Sequence, residues 1–500
     1  MKFKNLYLIL GLSLLISCQP KQKEDQKSIE PIKKLTEIDA LTTVSEIYDT
    51  YQNSEDFLIK GLFYPANFLS QDFNLWGKEG AYYKTFNIPA NFNIINNYWS
   101  LSYDGIINAN KALISLDEMA KDKIIPQQLT NRLKAECYFN RGLIYYYLAC
   151  NFGNVPIVKN GLKTEIINIP NASQDDVFKY VVEDLIKAKN GLPYTYTKKE
   201  DLGRATKGAA LAYLGESYMW LHQYKNAISA FNQLDGHYKL MSKFIDINAF
   251  KHQNNKESIL EIQFNGNDNL GWGRDNYSTF IQSFSLPTEV GGAGLAFVNP
   301  KYAKSFERND KRVKATVIGP NQKHPDASIN ISSYNSVQEK YHRLNTLGTR
   351  KNPWLGDDGK RSGYYSVKSW RAPDPNATAS AVFSKANVIL MRYGQVLLDL
   401  AECKLKTGDI KGAQFLINKV RKRAGLKPVF KTDMMPVLLN EYRHELAGEF
   451  SLWYVLRRSG NHIEYIKSNF NIEIPKGHDL LPIPSEQLRI NKSLKQNFGY

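Results

Sequence analysis

The 500 residues are 43% apolar and 12% aromatic, too rich for a disordered chain and enough for a large core. Lys and Arg outnumber Asp and Glu by 65 to 49, a formal +16 that would suit an anionic neighbour such as a lipid surface, an acidic glycan or nucleic acid. The basic residues are scattered and mostly Lys, with no Arg run and no nucleic-acid motif, so they read as solvated surface and argue against nucleic acid as a partner.

The chain opens with Lys2 and Lys4, an apolar run over 6–15 too short to span a bilayer as a mature helix, and then Leu15-Ile16-Ser17-Cys18. This resembles a bacterial lipobox. Residues 1–17 are expected to be a lipoprotein signal peptide, with Cys18 as the lipidated mature N-terminus, because its thiol is the nucleophile that diacylglyceryl transfer requires. Each acyl methylene buried in the membrane adds about 0.8 kcal/mol. The polar, Lys-rich residues 18–35 read as a flexible tether, in which Lys23-Glu24-Asp25 resembles an acidic surface-export signal.

Residues 36–500 are expected to form a single domain. An apolar stripe of Leu41, Val44, Tyr48 and Tyr51 is answered by Ile106, Ala109, Leu113 and Leu116, giving a helical hairpin over 40–118. It is interrupted at about 61–91 by an aromatic-rich insertion in which Trp76, flanked by Asn74, Gly77, Lys78 and Glu79, is the aromatic placed at the surface. Of its companions Phe63, Tyr64, Phe68, Phe73, Tyr82, Tyr83 and Phe86, most read as packing. A sugar ring presents C–H groups that stack on an aromatic plane, and neighbouring amides and charges bind its hydroxyls.

The second hairpin, 131–190, pairs an aromatic helix over 132–150, closed by Asn151 and Gly153, with the stripe Val177, Val181, Leu185 and Ala188. In the third, 205–235, Leu211, Leu214, Gly215, Tyr218, Tyr224, Ala227 and Phe231 reproduce most of the tetratricopeptide pattern, with Leu211 in place of the usual Trp. Helices over about 205–221 and 224–234 would meet at the turn His222-Gln223.

A loop-rich insertion fills 236–380. It opens with a strand over 258–264, then a hydrogen-bonding loop carrying Asn269, Trp272 and Arg274 and followed by Tyr277. The Asn and Asp alternation there does not make a calcium loop, since Leu270 occupies the position that needs Gly and no Glu closes the loop. The fourth hairpin, 386–424, has Tyr393, Leu397 and Leu400 on one helix, the Gly408-Asp409 stop and cap, and Ala413, Leu416 and Val420 on the return. Beyond it, Glu441, Glu445 and Glu449 can meet Arg at helical spacing, and this reads as a structural ion network rather than catalytic carboxylates. Near the end, Pro482 and Pro484 force an extended segment and Ser485 can cap a last turn. Cys137, Cys150 and Cys403 read as buried free thiols.

The fold class is therefore mostly α: about four tetratricopeptide-like hairpins forming a scaffold, with long insertions and a few short strands. No metal site, cofactor motif, nucleophile elbow or phosphate loop is present in the pattern, and no catalytic residue is assigned.

Five segments, in order, resemble one family. They are the lipobox; Ala135-Glu136-Cys137-Tyr138-Phe139-Asn140-Arg141-Gly142 running into Phe152-Gly153-Asn154-Val155-Pro156; Ala205-Thr206-Lys207-Gly208-Ala209-Ala210; residues 440–458; and Pro482-Ile483-Pro484. They are similar to the SusD/RagB outer-membrane lipoproteins of Bacteroidetes, with departures at Ser451 and Val455 that touch one structural ion pair. The resemblance implies a non-enzymatic, lipid-anchored protein of the outer membrane, exposed at the cell surface. It would sit on a SusC-like TonB-dependent transporter and capture an oligosaccharide or, in the RagB branch, a peptide. By region, Trp76, Trp272 and Tyr277 fall where such proteins often place stacking aromatics, and the composition of the two insertions offers Asn74, Lys78, Asn269 and Arg274 as hydrogen-bonding groups beside them. The competing classes are a glycoside hydrolase and a repeat-type adaptor.

Overall fold

The structure, a computed structural model, describes residues 35–160, 167–264, 281, 285, 293–319, 322–325, 363–369 and 385–500. Cys18 with the leader and tether, and Asn269, Trp272, Arg274 and Tyr277, lie outside these residues. Helix α1 (Glu37–Gln52) begins at a reciprocal cap: the Thr36 hydroxyl accepts from Asp39 N, and the Asp39 carboxylate accepts from Thr36 N at 2.8 Å. Its buried face carries Ala40, Val44, Ile47 and Tyr51. Leu41 and Tyr48 of the expected stripe are only partly covered, a rotation of about one residue.

The partner is α4 (Asn93–Lys121), with Ile106, Ala109, Leu113 and Leu116 all buried. Between them the chain does not loop out as the composition suggested. Residues Ser54–Phe63 wind as a π-helix, followed by α2 (Tyr64–Phe68), strand β1 (Phe73–Leu75) and α3 (Lys78–Lys84). Phe63, Tyr64, Phe68, Phe73, Tyr83 and Phe86 all enter the core, so this insertion is a packed layer.

Helices α5 (Gln127–Phe152) and α6 (Gln174–Gly191) form the second hairpin, α7 (Lys207–Trp220) and α8 (Tyr224–Asn232) the third. Gly153, at φ +70, ends α5. Helix α7 starts later than its apolar pattern suggests because the Thr206 hydroxyl caps it, accepting from Ala209 N at 3.1 Å. Arg141 of α5 donates to both Asp184 oxygens of α6 at 2.8 Å and to Asn110 of α4 at 2.6 Å, tying three helices by one buried fork.

Strand β2 (Ser258–Ile262) pairs antiparallel with β6 (Val388–Arg392), which runs directly into α11 (Tyr393–Lys406). Helix α11 turns at Gly408 and returns as α12 (Ile410–Ala424), capped by Asp409 on Gly412 N at 2.8 Å. Between these strands lie β3 (Ala296–Val298), α9 (Pro300–Ala303), α10 (Arg312–Thr316), β4 (Val317–Ile318) and β5 (Tyr365–Ser366). The last helices are α13 (Met435–Leu446), α14 (Leu452–Arg458), α15 (His462–Phe470) and α16 (Ser485–Ile490). Ser485 is the first residue of α16 and makes no side-chain cap; its backbone N donates instead to Ala90 O at 2.8 Å. The four hairpins stack as one row in which α8 meets α11 across the large insertion. Among the described residues, no helix is long and apolar enough to cross a membrane. Cys137, Cys150 and Cys403 are buried and unpaired.

Glu441 and Glu445 do enter a buried ion network, but not with Arg on their own helix. Arg312 of α10 reaches Glu441 at 2.8 Å and Glu445 at 3.3 Å; Arg392 of β6 reaches Glu445 at 2.7 Å, Glu449 at 2.7 Å and Glu257 at 3.0 Å; Arg421 reaches Glu441 at 2.6 Å, and Arg423 pairs with Glu257 and Glu445. Burial would push the Glu445 pKa up, yet the Arg423, Arg392 and Arg312 guanidinia hold it well below the usual carboxylate range. Arg443, two residues from Glu441, projects from another helical face and binds Asp72 instead.

Candidate ligand-binding site

The first insertion and the large one meet in a two-stranded ribbon. β1 pairs antiparallel with β3, with Phe73 opposite Val298, Asn74 opposite Phe297 and Leu75 opposite Ala296. Strand alternation sends Phe73 and Leu75 into the core and Asn74 to the other face, where it is half-buried. The ladder continues one step: Trp76 N donates to Leu295 O at 2.8 Å. The Trp76 backbone is therefore fixed while its side chain stays 48% exposed.

Gly77 sets the next step. Its φ of +93 and ψ of −170 belong to glycine, and they turn the chain so that α3 starts at once with Lys78 and Glu79 exposed. Asn74, Trp76 and Lys78 thus follow one another across the strand end and the Gly77 turn, where the backbone is held by the ladder. Among the described residues, the Asn74 amide and the Lys78 amine have no hydrogen-bonding or ionic partner.

Beneath the ribbon, Asp72 is buried and accepts from Arg443 Nε at 2.9 Å, Arg443 Nη2 at 2.7 Å and the Tyr465 hydroxyl at 2.5 Å. Burial raises the Asp72 pKa, with Arg443 pulling against it. Asn299 locks the far strand by donating its backbone N to Asp72 O at 2.9 Å and its side-chain amide to Gln71 O at 2.9 Å. Val298 N donates to Tyr364 O at 2.9 Å, extending the bonding towards β5. None of these supports was legible in sequence, because Asp72 and Arg443 are 371 residues apart.

One aromatic surface was missed altogether. Tyr194 and His237 stack with ring centroids 3.6 Å apart and planes 9° from parallel, beside a 270 Å³ cleft that includes Asn254, Asn255 and Lys256. The two rings come from separate interhelical connections, and no local pattern links them. Among the described residues, no group of three His, Cys, Asp or Glu side chains could hold a metal ion.

Two family models match the chain: one described as the SusD family over residues 256–500, and one described as starch-binding and associating with the outer membrane over residues 20–219. SusD-like protein P2 of Formosa agariphila is 23% identical over 443 residues, covering 81% of this chain and 80% of that one. A SusD-like protein of Bacteroides ovatus is 23% identical over 414 residues, covering 74% and 66%. Among solved structures, a laminarin-binding SusD-like protein has a TM-score of 0.74 at 23% identity, covering 93% of this chain and 100% of that one. Surface glycan-binding protein A from Bacteroides thetaiotaomicron has 0.74 at 20%, covering 93% and 99%. At these identities the likeness is one of fold.

Proposed function

The chain belongs to the SusD family, and on that premise we propose that it captures glycans at the cell surface without turning them over. In this reading Cys18 anchors it to the outer membrane and a SusC-like TonB-dependent transporter receives the ligand. The observation that carries the reading is the half-exposed Trp76, immobilised on the ribbon that joins the two insertions. With the backbone held, only the indole's own rotation has to be ordered on binding, and its face accepts the C–H side of a sugar ring. Asn74 offers a donor and an acceptor to hydroxyls, and Lys78 a charge-assisted donor. The similar structures support the same reading, one being a laminarin-binding protein and another a surface glycan-binding protein. Trp272 and Tyr277, with Asn269 and Arg274, complete the proposed site from the large insertion.

Calorimetry against neutral oligosaccharides, acidic oligosaccharides and peptides tests this, with chromatography of the recovered ligand as a check for turnover. Trp76→Ala should cost about 0.5–1.5 kcal/mol beyond the area it buries. Full affinity in a folded Trp76→Ala/Trp272→Ala double variant would place the site elsewhere, and preferential binding of peptides would move the protein to the RagB-like branch.

A further inference from the structure

Another cavity, of about 240 Å³, opens between the 242–245 segment, α10 and the end of α12. Four of its lining residues are cations: Lys243, Lys311, Lys314 and Arg423. Among the described residues, no carboxylate lines it. Phe244, Ala315 and Pro325 supply apolar wall. Charges around one small cavity act together on a ligand when they lie within about a Debye length, roughly 8 Å at physiological ionic strength.

The lysines are exposed, and among the described residues none of the three amines has an ionic partner. Arg423 differs. Its side chain is 4% exposed, its two terminal nitrogens are committed to Glu257 and Glu445, and its Nε–H is buried with no acceptor. A buried donor left unsatisfied carries a desolvation cost that an incoming acceptor removes. Phe244, beside it, already has the Arg423, Lys368 and Arg392 cations at 4.8, 5.1 and 5.7 Å from its ring centroid. These three cations are matched by Glu257, Glu445 and Glu449, so the unmatched positive charge lies with the lysines at the rim.

The arrangement is partly pre-set. Lys311 N donates to Ala424 O at 2.9 Å, and its side-chain carbons lie against Gly425, which ends α12 at φ +81. The stem of the lysine is thus held before any ligand arrives, which reduces the ordering cost of binding.

We infer that this cavity is an oxyanion site, which takes the sulfate ester or the carboxylate of an acidic carbohydrate. The three lysine amines bind the anion's oxygens at the mouth of the cavity, with Pro325 at its edge. The site stands on its own residues; only the choice of carbohydrate as the carrier rests on the capture reading above.

The test is calorimetry on the whole protein at two salt concentrations, with sulfated galactan oligosaccharides in one arm, oligogalacturonates in a second and neutral glucan oligosaccharides in a third. Binding in one or both acidic arms should weaken with salt and fall by about tenfold or more in Lys243→Gln/Lys311→Gln/Lys314→Gln, since charge-assisted contacts are lost. The triple Lys→Arg variant should retain it. Which acidic arm responds identifies the anion. Acidic oligosaccharides that bind the Gln variant as well as the wild type would overturn the inference, as would failure of both acidic arms. Neutral oligosaccharides bound in that last case would leave the capture reading intact, whereas silence in all three arms would remove both.

Discussion

Asp399 shares one guanidinium with two other carboxylates. Arg458 lies 2.8 Å from Asp399, 2.9 Å from Glu402 and 3.2 Å from Glu216, all buried. Burial, with Glu216 adding to it and Arg458 opposing, pushes the Asp399 pKa up to about 7, and its Oδ2 has no hydrogen-bond partner, leaving room for the proton. A folded-state pKa raised above the ordinary 3.8 stabilises the fold fully below that value, and the contribution is lost as pH rises through about 7. Asp399→Asn keeps an Oδ1 acceptor for Arg458 and Tyr442. The urea midpoint of the wild type should therefore fall more steeply between pH 5 and 8 than that of the variant; parallel profiles would show that Asp399 does not hold its proton. Nothing in sequence signalled this cluster, since its members are drawn from α7, α11 and α14. Trp76 was legible for the opposite reason: its exposure follows from the polar residues next to it in the chain.

Gly215 shows what a helical hairpin tolerates. A Cβ built there would lie 2.3 Å from the Phe231 ring, so α7 and α8 approach at a distance that only the missing side chain allows. Gly215→Val should cost about 1–3 kcal/mol by overpacking. An unchanged denaturation midpoint would mean that the hairpin opens without penalty. All four hairpins could be read because each repeats its apolar residues within one turn of helix. The first insertion could not, because a π-helix, a three-residue strand and two short helices are too brief to show a period. The partners of Glu441 and Glu445 were missed for another reason. Helical spacing limits only neighbours on the same helix, whereas Arg312 and Arg392 arrive from α10 and β6. At the Ser451 departure a neutral contact stands, its hydroxyl donating to Gln395 at 2.9 Å.

At the scale of the molecule, the large insertion separates the third and fourth hairpins in sequence without separating them in space, since α8 packs on α11. Anchoring is the remaining expectation at this scale. Cys18→Ala should move the protein from the membrane fraction to the soluble one; a variant that stays with membranes, together with a wild type that incorporates no labelled fatty acid, would refute lipidation. The Asp72–Arg443 pair carries a consequence in time rather than in space. A chain delivered N-terminus first presents Asp72 long before Arg443, 371 residues later. At about 5–20 residues per second that interval is on the order of tens of seconds. Until it closes, the floor of the Trp76 ribbon has a carboxylate without its guanidinium, and β1 waits 223 residues for β3, from Phe73 to Ala296. The floor beneath Trp76 is thus completed only after all four helical hairpins, the last of which ends at Ala424, have emerged.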